Sequence, residues 1–189
     1  MSYKKCDLEI LHVGFKIELA FHQHKHFHPS GIFGPYDDGN NHTTQLIQSY
    51  VSGKLPAGVT GGYDFVDVRD VAQGCIAAAD KGIKGECYIL SNCYVSVSDL
   101  LEYMRIATNG KKKICFPLKL AKLAAPVFEG IGKITKTRPL FTKYSLSTMD
   151  SNGRFSHDKA TMQLSYCPRD MKDTVADTIK YLKTKKCSL

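Results

Sequence analysis

The chain has 189 residues, 43% of them hydrophobic and 23% charged. This balance fits one globular domain and excludes a disordered chain. No apolar run reaches the roughly 18 residues of a membrane helix, and Lys16 and Glu18 interrupt the stretch that a signal peptide needs. Seven Cys, an odd count without any C-x-x-C pair, exclude a disulfide framework or a zinc ribbon. Reduced thiols and a cytoplasmic location are expected. A net charge of +8 attracts phosphate-bearing partners. The lysines, however, gather at 111–113 and at 183, 185 and 186 without interleaved aromatics, so nucleic acid is not an expected partner; without an apolar run of spanning length, neither is a membrane.

Along the chain, residues 8–27 alternate loosely and suggest a strand or two. Within them, His22, His24, His26 and His28 fall on one face of a strand and form a possible metal-binding row. Residues 35–42 read as a loop and Thr43 to Val51 as a helix, ended by Gly53, Pro56 and Gly58. Phe65-Val66 reads as a short strand. Asp67 suits an N-cap, with Asp70 three residues on. Val68, Val71, Ala72, Cys75, Ile76 and Ala79 then repeat at helical spacing, with Gly82 just beyond. Glu86 to Leu90 reads as a strand. Ser96 and Asp99 form a capping box for a helix stopped at Asn109-Gly110. Lys113 to Phe116 suggests another strand, and Pro117 the first turn of a helix through Ala125, which Pro126 kinks or ends. A helix continuing past Phe128 is followed by irregular or helical chain to residue 150. A short helix covers Asp158 to Leu164. Asp170 and Asp173 open the last helix, with Val175, Ile179 and Leu182 facing inward.

Two apparent chemical motifs read as ordinary structure. Gly130-Ile131-Gly132-Lys133 lacks the third glycine and the preceding strand of a dinucleotide turn, and the spacing of a P-loop. Tyr50 and Lys54 stand four residues apart, as a proton-relay pair does, but Gly53 weakens the helix that would align them.

Two stretches carry more information: His28-Pro29-Ser30-Gly31-Ile32-Phe33-Gly34-Pro35-Tyr36-Asp37, and Gly62-Tyr63-Asp64-Phe65-Val66-Asp67-Val68-Arg69-Asp70-Val71-Ala72. In this order and at this distance they resemble the extended short-chain dehydrogenase/reductases, which include NAD-dependent epimerases and dehydratases and dihydroflavonol-reductase-like enzymes. The resemblance spans about residues 28–183. It implies an α/β fold: a partial Rossmann-like arrangement, the C-terminal substrate-binding portion, with few strands and five or six helices. Residues 1–27 fall outside it, and residues 28–189 form the matching unit.

The resemblance also implies roles. Pro29, Ser30, Gly31, Ile32 and Thr44 would contact the cofactor, NAD or NADP. Phe33, Tyr36 and Arg69, with the loop from Asp37 to His42, would border a small-molecule substrate. Read from the residues alone, Arg69 is expected on a helix face, paired with Asp67 or Asp70, in preference to a ligand. Asp64 stands where relatives acting on nucleotide sugars carry a phosphate-binding Arg, which argues against such a substrate. Phe155-Ser156-His157-Asp158-Lys159-Ala160 is similar to a C-terminal signature whose role is packing.

The family's glycine-rich turn and its Ser, Tyr and Lys set lie before the first stretch, and this sequence has neither. No catalytic residue is therefore assigned, and the chain alone is expected to be inactive. A partner-binding module, self-associating or docking another protein, and a metal-binding protein using the histidine row are the alternatives.

Overall fold

Seven short strands and five helices, with a further helical stretch over 118–121, are found among the described residues of a computed structural model, which are 25–37, 41–121, 123, 146–147 and 153–186. The strands are β1 (His26–Pro29), β2 (Gly31–Phe33), β3 (Gly58–Val59), β4 (Gly62–Asp67), β5 (Cys87–Leu90), β6 (Cys93–Ser96) and β7 (Cys115–Phe116). The helices are α1 (His42–Val51), α2 (Val68–Lys81), α3 (Val97–Thr108), α4 (Asp158–Leu164) and α5 (Met171–Lys186). The fold is mixed α/β with few strands, as the sequence implies.

Three small sheets form. β1 pairs with β5 in parallel, Pro29 opposite Leu90. β2 pairs with β4 in parallel, Gly31 opposite Phe65, and β4 pairs antiparallel with β6. β3 and β7 make a third, parallel pair. Parallel partners need a crossover, and α1 lies between β2 and β4 while α2 lies between β4 and β5. The chain changes sheets at Ser30, whose N–H still donates to the Leu90 carbonyl at 3.4 Å. The first stretch of the resemblance therefore runs along a split between β5 and β4.

Two larger cores form, the second spanning the split through Val66 of β4 and Tyr88 and Leu90 of β5. Phe33, Leu46, Ile47, Leu100, Met104, Val175 and Ile179 join α1, α3 and α5. Val66, Ala78, Tyr88, Leu90, Ala160, Leu164 and Tyr166 join α2, α4 and β5. The α3 capping box is present in both directions, and Asn109 ends that helix in the left-handed conformation at φ 50°. Val175 and Ile179 are buried, as the last helix's pattern predicts, and Leu182 packs partly buried beside them.

Several elements differ from the sequence reading. The strand expected at Phe65-Val66 extends over Gly62–Asp67, and β6 was not anticipated at all. The residues that α2 buries fully are Asp70, Gly74 and Ala78; of the apolar stripe, Val68 is exposed, and Val71, Ala72, Cys75, Ile76 and Ala79 are partly buried, Val71 and Cys75 against the core of Val66 and Leu90. The reason is close approach: a Cβ on Gly74 would stand 2.8 Å from a Leu90 methyl, so α2 seats its smallest residue on β5. Most of residues 8–27, including His22 and His24, lies outside the described residues. So do Gly130 to Lys133, and the helix expected to continue past Phe128.

Candidate functional site: a cleft between the β2 turn and the first turn of α2

Leaving β2, the chain passes from Gly34 to Asp37 in a turn held at both ends. Asn41 donates to the Ile32 carbonyl at 2.6 Å, and its side-chain oxygen caps α1 by accepting from Thr43 N at 2.9 Å. Thr44 donates to Asp37 at 2.6 Å. Between these anchors Tyr36 takes φ 73°, an unusual value for a residue with a side chain. Its ring is 76% exposed and lies 5.1 Å from that of Tyr181 on α5. Backbone held this way costs about 1–3 kcal/mol and persists only where surrounding contacts over-determine it.

The opposing wall is the start of α2. Asp67 caps the helix, accepting from Arg69 N at 2.8 Å. A Cβ on Gly34 would approach a Val68 methyl to 2.8 Å, so glycine lets the β2 turn lie against this wall. Between the walls is a cavity of about 790 Å³ lined by Ile32, Phe33, Gly34, Pro35, Tyr36, Asp37, Asn41, Val68, Arg69 and Ala72. Its surface is chiefly apolar, and Asp37, Asn41 and Arg69 on its lining are engaged with Thr44, with backbone, and with Asp67 and Asp177 respectively.

Arg69 is the main charged group of this site. It donates to Asp67 through Nε at 2.9 Å and Nη2 at 2.6 Å, and to Asp177 through Nη1 at 2.8 Å. The Asp67 bond raises its pKa most; burial opposes this and Asp177 adds to it. Burial alone would raise the Asp67 carboxyl, but bonds from the Arg69 side chain and backbone and from Thr174 outweigh it and hold the group below the usual carboxylate range. Asp70 pairs instead with Arg169, at 2.9 Å from Nε and 2.8 Å from Nη2. The expectation that Arg69 is a helix-face residue pairing with a neighbouring carboxylate thus agrees with this geometry, and it also lines the cavity.

The structure brings Ile32, Phe33, Tyr36 and Arg69 together on one cavity. Pro29, Ser30 and Gly31 lie just upstream, at the sheet split. Thr44 is fully buried and fixes the Asp37 loop; it does not line the cavity. Phe33 is 2% exposed and packs edge-on against Phe65, so most of its surface belongs to the core. Val68 and Ala72, read from sequence only as core spacing, contribute to the wall. Asp177 was missed, because a partner 108 positions from Arg69 leaves no local signal.

A dinucleotide makes two demands on such a site. For its nicotinamide end, the residues fit in one respect: Ser30 Oγ is buried and has no hydrogen-bond partner here, so it is able to meet an amide at the sheet split. For its pyrophosphate, no glycine-rich strand-to-helix turn exists in the sequence. Tyr50 and Lys54 do not form a relay in this geometry. The Tyr50 hydroxyl donates to the Lys111 carbonyl at 2.9 Å, its ring is in the core, and Lys54 is exposed.

No family model matches the chain. Over 158 residues it is 24% identical to sterol demethylase protein B of Methylococcus capsulatus, covering 82% of this chain and 48% of that protein. It is 25% identical over 162 residues to a Synechocystis protein provisionally named dihydroflavonol 4-reductase, covering 81% and 46%. Among solved structures, gox2253 matches with a TM-score of 0.68 at 30% identity, over 85% of this chain and 49% of that one. The Bordetella bronchiseptica enzyme WbmF, solved in complex with NAD+, shares the fold with a TM-score of 0.59 at 20% identity, over 87% and 46%. The chain spans about half the length of the curated relatives it matches, and no described helix is long and apolar enough to cross a membrane. In sequence and in fold, the chain is similar to the C-terminal half of the extended short-chain dehydrogenase/reductases of the epimerase/dehydratase and dihydroflavonol-reductase-like kind.

Proposed function

We propose that residues 28–189 act as the substrate-side half of an NAD(P)-dependent reductase or epimerase, the glycine-rich turn and the Ser, Tyr and Lys set belonging to a nucleotide-binding half. The observation that carries this reading is the convergence of Ile32, Phe33, Tyr36 and Arg69 on one cavity of about 790 Å³. Pro29, Ser30, Gly31 and Ile32 serve as the nicotinamide-side wall, with Thr44 acting on that wall indirectly through Asp37. Phe33, Tyr36 and Arg69 border the substrate. The bound dinucleotide supplies the hydride chemistry; the residues of this chain orient the reactants and exclude water.

The substrate class is a small molecule that is apolar over most of its surface. Supporting this, the walls are apolar and the Arg69 guanidinium already holds two carboxylates. Asp64, at the position of a phosphate-binding Arg in nucleotide-sugar relatives, is 1% exposed and accepts from Asn92 N, so it faces inward. A protein partner fits the same reading: among the described residues β1 pairs on one edge only, and a nucleotide-binding half would extend that sheet. The expected setting is cytoplasmic.

The test uses two samples. Titration of this chain alone with NADH or NADPH, followed by nicotinamide fluorescence, is expected to give no saturable change; a micromolar dissociation constant overturns the reading. A hybrid joining residues 28–189 to the nucleotide-binding half of a relative is expected to bind NAD(P)H, and Tyr36→Asp in that hybrid to raise KM for an apolar carbonyl substrate without changing cofactor affinity.

A further inference from the structure

The surplus positive charge of this chain is concentrated in one run. Residues 111–143 hold nine Lys and Arg against a single acidic residue, Glu129, which accounts for the whole net charge of +8. No carboxylate occurs between Glu102 and Glu129. The start of this run, residues 111–123, also has the densest group of exposed large apolar side chains among the described residues. Ile114 is 73% exposed, Phe116 55%, Leu120 58% and Leu123 79%.

Local structure fixes this display. β7 pairs with β3, and strand alternation turns Cys115 inward beside Gly58 and Leu101. Ile114 and Phe116 therefore share the opposite, outer face. Pro117 ends the strand, and its carbonyl accepts from the N–H groups of Leu120 and Ala121 at 3.1 and 3.2 Å, starting a helical turn. Leu118 and Ala121 pack on Val59 and Leu146, which leaves Lys119, Leu120 and Leu123 outside. The backbone is tied down by Gly58 N and Thr60 N donating to the Ile114 and Phe116 carbonyls at 2.8 Å, and by Leu118 N donating to Thr60 Oγ1 at 2.9 Å. Lys111 and Lys112 flank the strand, also exposed.

We propose that residues 111–123 form a docking surface for an anionic phospholipid bilayer. Ile114, Phe116, Leu120 and Leu123 enter the headgroup–acyl boundary, and Lys111, Lys112 and Lys119 meet the lipid phosphates. Two observations choose this partner. Along residues 111–123 the charge is of one sign, and Glu102 beside Lys112 is already paired with Arg105, so the complementary surface is anionic. Three of the four exposed apolar side chains are aliphatic, which bury well in acyl chains but give bases no ring to stack on. No spanning helix is needed for a protein that lies on the interface, so the expectation of no membrane partner, which rested on the lack of a span, does not bear on it.

Flotation of the full chain with phosphatidylcholine vesicles containing about one-third phosphatidylserine, and with pure phosphatidylcholine vesicles, tests this. Binding to the anionic vesicles alone is expected. Lys119→Gln should weaken it about fivefold, the worth of one basic residue at a charged leaflet. Leu120→Ser with Leu123→Ser should weaken it about tenfold or more by removing buried apolar area. All three side chains are exposed, so thermal melts should be unchanged. Absence of binding, equal binding to both vesicles, or an inert leucine pair in a chain that retains a DNA oligonucleotide would each overturn the proposal, the last in favour of a nucleic-acid surface.

Discussion

The Thr174 hydroxyl donates a 2.8 Å hydrogen bond to Oδ2 of Asp67, joining two fully buried residues 107 positions apart. Asp67 is also the cap of α2 and the main partner of Arg69, while Arg69 reaches across to Asp177 on α5. One wall of the cavity is therefore set by the last helix. Thr174→Val keeps the volume and removes the donor, leaving a buried carboxylate short of one bond. The expected loss is about 1–3 kcal/mol of unfolding free energy, read from urea denaturation; an unchanged midpoint would show that the bond does not hold the wall.

The same carboxylate sets a pH dependence. Its pKa in the folded chain lies below the ordinary value of 3.8, the bonds from Arg69 and Thr174 outweighing burial. A depressed folded pKa means that the unfolded chain binds the proton more readily. The contribution of Asp67 is thus fully present above about 3.8 and is lost as pH falls toward the lower, folded value. In Asp67→Asn, stability at neutral pH should drop, and the slope of stability against pH below about 4 should become shallower than in the parent. Parallel slopes in the two chains would assign the acid sensitivity to other groups.

Tyr50 gives a sharper separation between a catalytic and a structural reading. Its hydroxyl is occupied by the Lys111 carbonyl and its ring is 6% exposed. Tyr50→Phe should cost about 1 kcal/mol, one net hydrogen bond, and should leave kcat unchanged in the active hybrid. A loss of orders of magnitude in kcat, with stability unaffected, would restore the pair with Lys54 to a proton relay.

Local signals were legible wherever a residue's partner lies within a few positions. Ser96 with Asp99, Asp67 with Arg69, and the inward row of Val175 and Ile179 could all be read directly, because caps and helical spacing are short-range. β6 could not: Cys93 and Tyr94 are exposed, and the strand exists through its antiparallel register with β4, Gly62 opposite Ser96. The apolar spacing of α2 marked Val71 and Cys75, which pack partly buried against the core, but not the fully buried Gly74, Ala78 and ion-paired Asp70, because such spacing weighs large side chains. At the site, the turn from Pro29 to Tyr36 was legible through its resemblance, but Asp177 and the cavity surfaces of Val68 and Ala72 depend on how α2 and α5 pack.

Gly74 tests that seating. Two effects oppose each other in Gly74→Ala. Helix propensity favours alanine by about 1 kcal/mol. Against it, the new Cβ would stand 2.8 and 3.0 Å from the Leu90 methyls and 3.2 Å from the Tyr166 ring. Leu90 is 0% exposed and Tyr166 4%, so neither has room to retreat. Overpacking of this kind costs about 1–3 kcal/mol, and the net effect should be a loss of about 1 kcal/mol. Leu90→Val makes space at the contact, so Gly74→Ala should cost less in that background than alone. Additive losses in the double mutant would mean that α2 does not rest on Leu90 through Gly74.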